Sequence, residues 1–205
     1  MKHAVIVGPQ GAGKGTQATL LADRFNLLHL STGDIFRALM QTESDLANEV
    51  RAYVDAGSLV PDDLTARVLF SRLDELAEEL HPVGALFDGY PRNAAQADVL
   101  DATIAERGEE LVAVVYIDVP MEVLKERIAL RATTEGRSDD TPEALERRLS
   151  IYFAETQPLV ERWRERGIVL DIDGDQSIED VGHDIREAIT PLFEDDGTPA
   201  DADSD

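Results

Sequence analysis

Residues 8–17, GPQGAGKGTQ, follow the apolar run AVIV at 4–7 and lead into a helical pattern from Gln17 to Phe25. Strand, glycine-rich loop and helix together make an anion cradle, because backbone amides converge and the helix start adds partial positive charge. Gly8, Gly11, Gly13 and Gly15 allow the close approach and positive φ that a Cβ would obstruct, and Lys14 offers a mobile charge for β and γ phosphates. One letter departs from the usual phosphate loop. A serine or threonine normally follows the lysine and reaches a magnesium ion, whereas here Gly15 follows and the hydroxyl comes at Thr16. A GTPase-like switch is therefore disfavoured, and the chain has no Asn-Lys-x-Asp string to read guanine. The remaining alternative, a tight strand-to-helix turn, leaves Lys14 unexplained.

Moving a phosphoryl group between two polyphosphates crowds negative charge together, so the chemistry is mostly positioning and neutralisation. Arginine forks suit phosphate oxygens better than lysine. Arginines worth weighing beyond the loop are Arg37 in STGDIFR (31–37), Arg92 in FDGYPRNAAQA (87–97), Arg131, Arg137 in GRSDD (136–140) and Arg148. Asp88 ends the run GALFD at 84–88, where an acid at the carboxyl edge of a parallel sheet faces a ligand crevice.

GKGTQ, STGDIFR, GSLVPD (57–62), FDGYPRNAAQA and GRSDD, in this order and spacing, resemble the adenylate kinases among the nucleoside monophosphate kinases, from residue 3 to about 190. The resemblance implies an ATP:AMP phosphotransferase that uses Mg2+ carried with ATP, the ion being held by phosphates and water. It assigns the donor site to Gly11, Ala12, Gly13, Lys14, Gly15 and Thr16, with Arg127 and Arg131, and with the backbone around Gln176 in DGDQSI (173–178). It assigns the acceptor site to Thr32, Arg37, Ser58, Leu59, Val60, Gly89, Tyr90, Pro91, Arg92 and Gln96. Lys14, Arg92, Arg131, Arg137 and Arg148 form the catalytic set, Arg137 and Arg148 also reaching the acceptor. Asp88 holds the metal through water, and Asp139 and Asp140 orient the closing arginines. No general base is needed, since the attacking phosphate oxygen is already ionised.

Thr32 and Gln96 can hydrogen-bond an adenine edge, whereas UMP/CMP kinases tend to carry alanine and asparagine there. Asn93 and a short lid do resemble that pyrimidine branch, which remains the alternative acceptor class. Only ATTE and Gly136 separate Arg131 from Arg137. That leaves no room for a zinc-bearing or β-rich lid, and no zinc is expected. His3, His29, His81 and His183 lack ligand spacing and read as structural or exposed.

Positioning these groups calls for an α/β fold of the P-loop NTPase type, a five-stranded parallel sheet flanked by helices. Expected strands are 4–7, 27–31, 84–88, 111–118 and 167–173. Expected helices are 17–25, 64–80, 94–107, 121–131, a long one capped by Thr141 and Pro142 running to about Arg166, and 178–193. Residues 1–193 read as one domain, with a helical insertion at 34–80 and a short lid at 131–140. The tail at 194–205, EDDGTPADADSD, reads as disordered.

The 205 residues include 42 acidic and 19 basic ones, a net charge of -23 spread along the chain. Such a surface repels nucleic acid and anionic membranes, and neither is expected as a partner. It suits a salt-rich cytoplasm where screening removes self-repulsion. Without cysteine there is neither disulfide nor thiolate metal site. No leader-like start is evident, and a cytoplasmic monomer is expected.

Overall fold

The computed structural model describes residues 1–55, 58–135 and 142–193. Arg137, Asp139, Asp140, most of the expected lid and the acidic tail lie outside the described residues, as does the side chain of Arg131. Five strands, β1 (Lys2–Val7), β2 (Leu27–Ser31), β3 (Gly84–Asp88), β4 (Glu110–Asp118) and β5 (Val169–Asp173), form one sheet in the order β2-β3-β1-β4-β5. Every pairing is parallel. The strands are apolar almost throughout because both faces are covered.

Alternation along β1 shows the logic. Val5 and Val7 join a core with Phe87, Leu100 and Trp163 on one face, while Ala4 and Ile6 join Leu21, Leu124 and Ile185 on the other. The first face is covered by α4 (Asp62–Leu80), α5 (Ala94–Glu106) and α8 (Gln157–Glu165). The second is covered by α1 (Lys14–Phe25), α6 (Met121–Glu135) and α9 (Ile178–Phe193). Between β2 and β3 the chain also makes α2 (Thr32–Met40) and α3 (Asp45–Asp55). These two helices share a smaller core of Phe36, Val50, Val60 and Leu64 with the start of α4. The rest of α4 sends Leu69 and Leu73 into the main core, so this helix fastens the insertion to the sheet.

Three elements differ from the sequence expectation. Helix α1 starts at Lys14, earlier than Gln17, because Gly13 caps it in the left-handed region at φ 91° and turns the loop directly into the helix. Helix α6 continues to Glu135, so the first part of the polar stretch after Arg131 has helical backbone. The long helix expected to end near Arg166 is broken: α7 (Pro142–Ile151) meets α8 through a π turn at Tyr152–Thr156. The turn buries Tyr152 and Thr156, an arrangement that 3.6-residue periodicity does not announce. Among the described residues no helix is long and apolar enough to cross a membrane.

The strand order reverses at β1, which has β3 on one side and β4 on the other, and ligands of open parallel sheets bind at the carboxyl edge of such a point. The loop 8–13 leaves β1 there, and the register Ile6 opposite Asp88 sets that carboxylate beside it.

His3 in β1 is fully buried. Its Nδ1 accepts from the Ala85 amide at 3.0 Å and its Nε2 lies 2.8 Å from Glu109 Oε2, an arrangement that fits a neutral ring protonated at Nε2. Burial lowers its pKa below the ordinary 6.5, only partly opposed by Glu109. A base held neutral in the fold contributes stability above its unfolded pKa and loses it as pH falls. Melts between pH 7.5 and 5 should therefore show an acid loss of Tm that is smaller in His3→Gln, even though that variant starts lower; parallel pH profiles for the two proteins contradict this.

Candidate active site

A cleft of about 540 Å³ opens at this carboxyl edge. One wall is the loop: Gly8, Gly11, Gly13, Lys14, Gly15 and Thr16 line it, while Ala12 is buried behind it. Lys14 Nζ donates to the carbonyls of Gly8 at 2.7 Å and Pro9 at 2.9 Å, which folds the side chain over the loop's own amides. Gln17 braces the loop from below, its Nε2 donating to the Ile178 carbonyl at 2.9 Å.

Arg37 from α2, Arg92 from the turn after β3, and Arg148 from α7 line the same cleft. Burial pulls the Arg92 pKa down; Asp88 opposes this, while the like charges of Arg148 and Arg37 add to it. Three guanidiniums within electrostatic reach of one another form a positive wall whose self-repulsion an anion would relieve. Arg37 is paired with Asp34 one turn earlier on α2.

Arg92 is fixed at three points. Its Nε donates to the Gly89 carbonyl at 2.7 Å, its backbone amide donates to Gln96 Oε1 at 2.8 Å, and its carbonyl accepts from Thr156 Oγ1 at 2.7 Å. The π turn thus delivers a hydroxyl to the arginine from a distant helix. Gly89 is obligatory: φ is 75°, and a Cβ there would lie 2.7 Å from Thr32 Oγ1 and 3.0 Å from Arg92 Nη2. Thr32 Oγ1 donates to the Gly89 carbonyl at 2.9 Å.

Asp88 lines the cleft beside the loop, its Oδ2 3.9 Å from where a Cβ at Gly15 would stand. Its Oδ2 is 3.5 Å from His29 Nε2, a buried atom with no hydrogen-bond partner. His29 also lines the cleft. Among the described residues no three His, Cys, Asp or Glu side chains gather as a metal cage. A lone carboxylate beside a phosphate loop fits a cation that arrives with a polyphosphate.

Ser58, Leu59, Val60, Tyr90, Pro91 and Gln96 line the cleft near the arginines, and Arg127 lines it on the loop side. Arg127 Nη2 donates to the Gly174 carbonyl at 2.9 Å, which ties the 173–178 loop to the site. Gln176 does not line the cleft, nor does any other residue of 173–178; the Gln176 side-chain amide donates to the Asp173 carbonyl and to Asp184 Oδ2. Asn93 also stays out, its Oδ1 capping α5 through the Gln96 amide at 2.9 Å. Its presence after Arg92 is thus accounted for by helix capping. Sequence reasoning missed Thr156, Tyr152, Thr19 and Asp62, the first three in the cleft and the last bonded to Gln96 just behind it. Only the ending of GSLVPD hinted at Asp62.

A phosphate loop and three arginines that share one crevice at the carboxyl edge of a parallel sheet mark a P-loop nucleotide phosphotransferase. A family model for adenylate kinase matches residues 6–168. Adenylate kinase of Micrococcus luteus is 44% identical over 189 residues, covering 92% of this chain and 91% of that protein. That of Bifidobacterium longum is 45% identical over 177 residues, 86% of this chain and 94% of its own length. The adenylate kinase of a Cyanothece species is 40% identical over 192 residues, 94% and 97% respectively. The chain belongs to the adenylate kinase family.

Thr156→Val leaves the part-buried Arg92 carbonyl without its donor, which costs about 1 kcal/mol. Urea melts should show that loss, with turnover reduced alongside it and Thr156→Ser restoring both. Wild-type stability and rate in the valine variant would contradict the clamp.

Proposed function

We propose that this chain catalyses ATP + AMP ⇌ 2 ADP as a monomer, with ATP on the glycine loop and AMP against the arginine wall. The observation that supports the reading is that the glycine loop with Lys14 and the arginines Arg37, Arg92 and Arg148 line one and the same cleft. An AMP phosphate oxygen forms a bond to the γ phosphorus of ATP as the bond to the β,γ-bridging oxygen breaks. The electron pair of that bond leaves on ADP, and no proton moves. Loop amides and Lys14 hold the β and γ phosphates, while Arg92, rigid at three points, holds the acceptor phosphate in line. Preorganised charge of this kind stabilises the transferring group without reorganisation at the moment of reaction. Arg131 and Arg137, by their family positions, are the groups that close over it and exclude water. Magnesium bound with ATP would be held by the phosphates and by Asp88 through water, with Thr16 helping to fix the donor phosphates, and it would supply charge neutralisation there.

Gln96 and Thr32 support adenine as the acceptor base, against the UMP/CMP alternative. Initial rates with AMP, UMP and CMP decide between them: AMP is expected to be fastest, and a faster pyrimidine overturns the choice. Arg92→Lys should cut turnover by about 10²-fold or more with an unchanged melt, and a near-normal rate would remove Arg92 from the catalytic set. The -23 charge supports adaptation to a salt-rich cytoplasm, so activity and Tm should both rise toward molar KCl. A melting point highest in dilute buffer contradicts that adaptation.

A further inference from the structure

The cleft places a primary amide, Gln96, where an acceptor base is read, and an amide has a weakness as a reader. Rotating it by half a turn exchanges its donor and acceptor, so that a bare glutamine can match either a 6-aminopurine or a 6-oxopurine. Adenine presents an N6–H donor beside the N1 acceptor. Hypoxanthine presents an O6 acceptor beside an N1–H donor.

In this fold the rotation is blocked. Gln96 Nε2 donates to Asp62 Oδ1 at 2.7 Å, and Gln96 Oε1 accepts from the Arg92 backbone amide at 2.8 Å. A carboxylate only accepts and a backbone N–H only donates, so reversing the amide would set two acceptors together and two donors together. The side chain is 2% exposed, and a mismatched pair there has no water to repair it. Asp62 is itself held: Asn93 Nδ2 donates to its Oδ1 at 3.1 Å and its Oδ2 at 3.3 Å, while Asn93 Oδ1 caps α5 through the Gln96 amide. Asp62 opens α4, so the insertion helix and the turn after β3 meet at this one carboxylate. With both bonds made, Gln96 keeps one N–H and one acceptor position, with their polarity set.

We propose that Asp62 is a specificity-determining positioning residue: it locks the polarity of the Gln96 amide and so makes the acceptor site select a 6-aminopurine over a 6-oxopurine monophosphate. The proposal rests on the reading of AMP as acceptor with Gln96 at its base. Asp62 acts only through Gln96 and does not line the cleft.

The test measures kcat/KM for AMP and for inosine 5′-monophosphate, at saturating ATP, in the native chain and in Asp62→Asn, Asp62→Ser and Gln96→Leu. Asparagine or serine at 62 removes the acceptor-only partner and leaves the Arg92 backbone amide alone to hold the Gln96 polarity, and serine, a good residue at a helix start, keeps the test open if the asparagine variant fails to fold. The AMP-to-inosine preference should fall at least about tenfold in both Asp62 variants, because mispaired buried polar groups govern discrimination of this kind. KM for ATP should stay unchanged, which a merely structural defect would not spare. If Gln96→Leu collapses the preference while folded Asp62 variants keep it, the lock is refuted and the acceptor reading stands. If Gln96→Leu leaves the preference intact, or the native chain does not use AMP, the acceptor reading itself fails and takes the lock with it.

Discussion

Two polyphosphates can be brought end to end only against fixed positive charge, and this chain must build that charge from few residues. It has 19 basic side chains among 42 acidic ones. Three arginines that would repel one another in isolation are held within reach in one cleft, and burial and mutual repulsion press down on the central one, Arg92. The fold bears that cost while holding Arg92 by its side-chain bond to the Gly89 carbonyl and by two bonds to its backbone. The positive wall is thus stored in advance of the substrate, the condition under which electrostatics accelerates a reaction most.

The holding is done by parts far apart in the chain. Thr156 comes from the π turn between α7 and α8, Gln96 from the first turn of α5, and Gly89 from the end of β3. Arg148 rides on α7, just before the same π turn, so one helical irregularity sets both an arginine that faces the cleft and a clamp on its neighbour. The insertion of α2 and α3 has its own small core yet is anchored through α4. That division lets one helix carry Arg37 on a separately packed unit, while Arg92 remains on the sheet.

The phosphate loop was legible in the sequence because its chemistry is local: glycine spacing, Lys14 and the strand before it are contiguous. All five strands were legible for the same reason, as short apolar runs between helical patterns. The arginines could be named from their motifs. What joins them could not, because Thr156 to Arg92 and Asp62 to Gln96 are tertiary pairings between polar residues that carry no periodic signal. The place of His29 beside Asp88 was not legible, because a lone histidine in a strand looks the same whether its ring faces the core or the cleft. The π turn stayed hidden for a related reason, since one extra residue in a helix shifts the register by less than a single-sequence pattern can resolve.

The central claim is that one cleft holds two nucleotides with their phosphates facing each other, and the structure of the protein crystallised with saturating ADP and magnesium tests it most directly. Two ADP molecules per chain are expected, one with its phosphates on the 8–16 loop and Lys14, the other with its phosphates against Arg37, Arg92 and Arg148. A single ADP, with the three arginines turned away from any phosphate, would contradict the account.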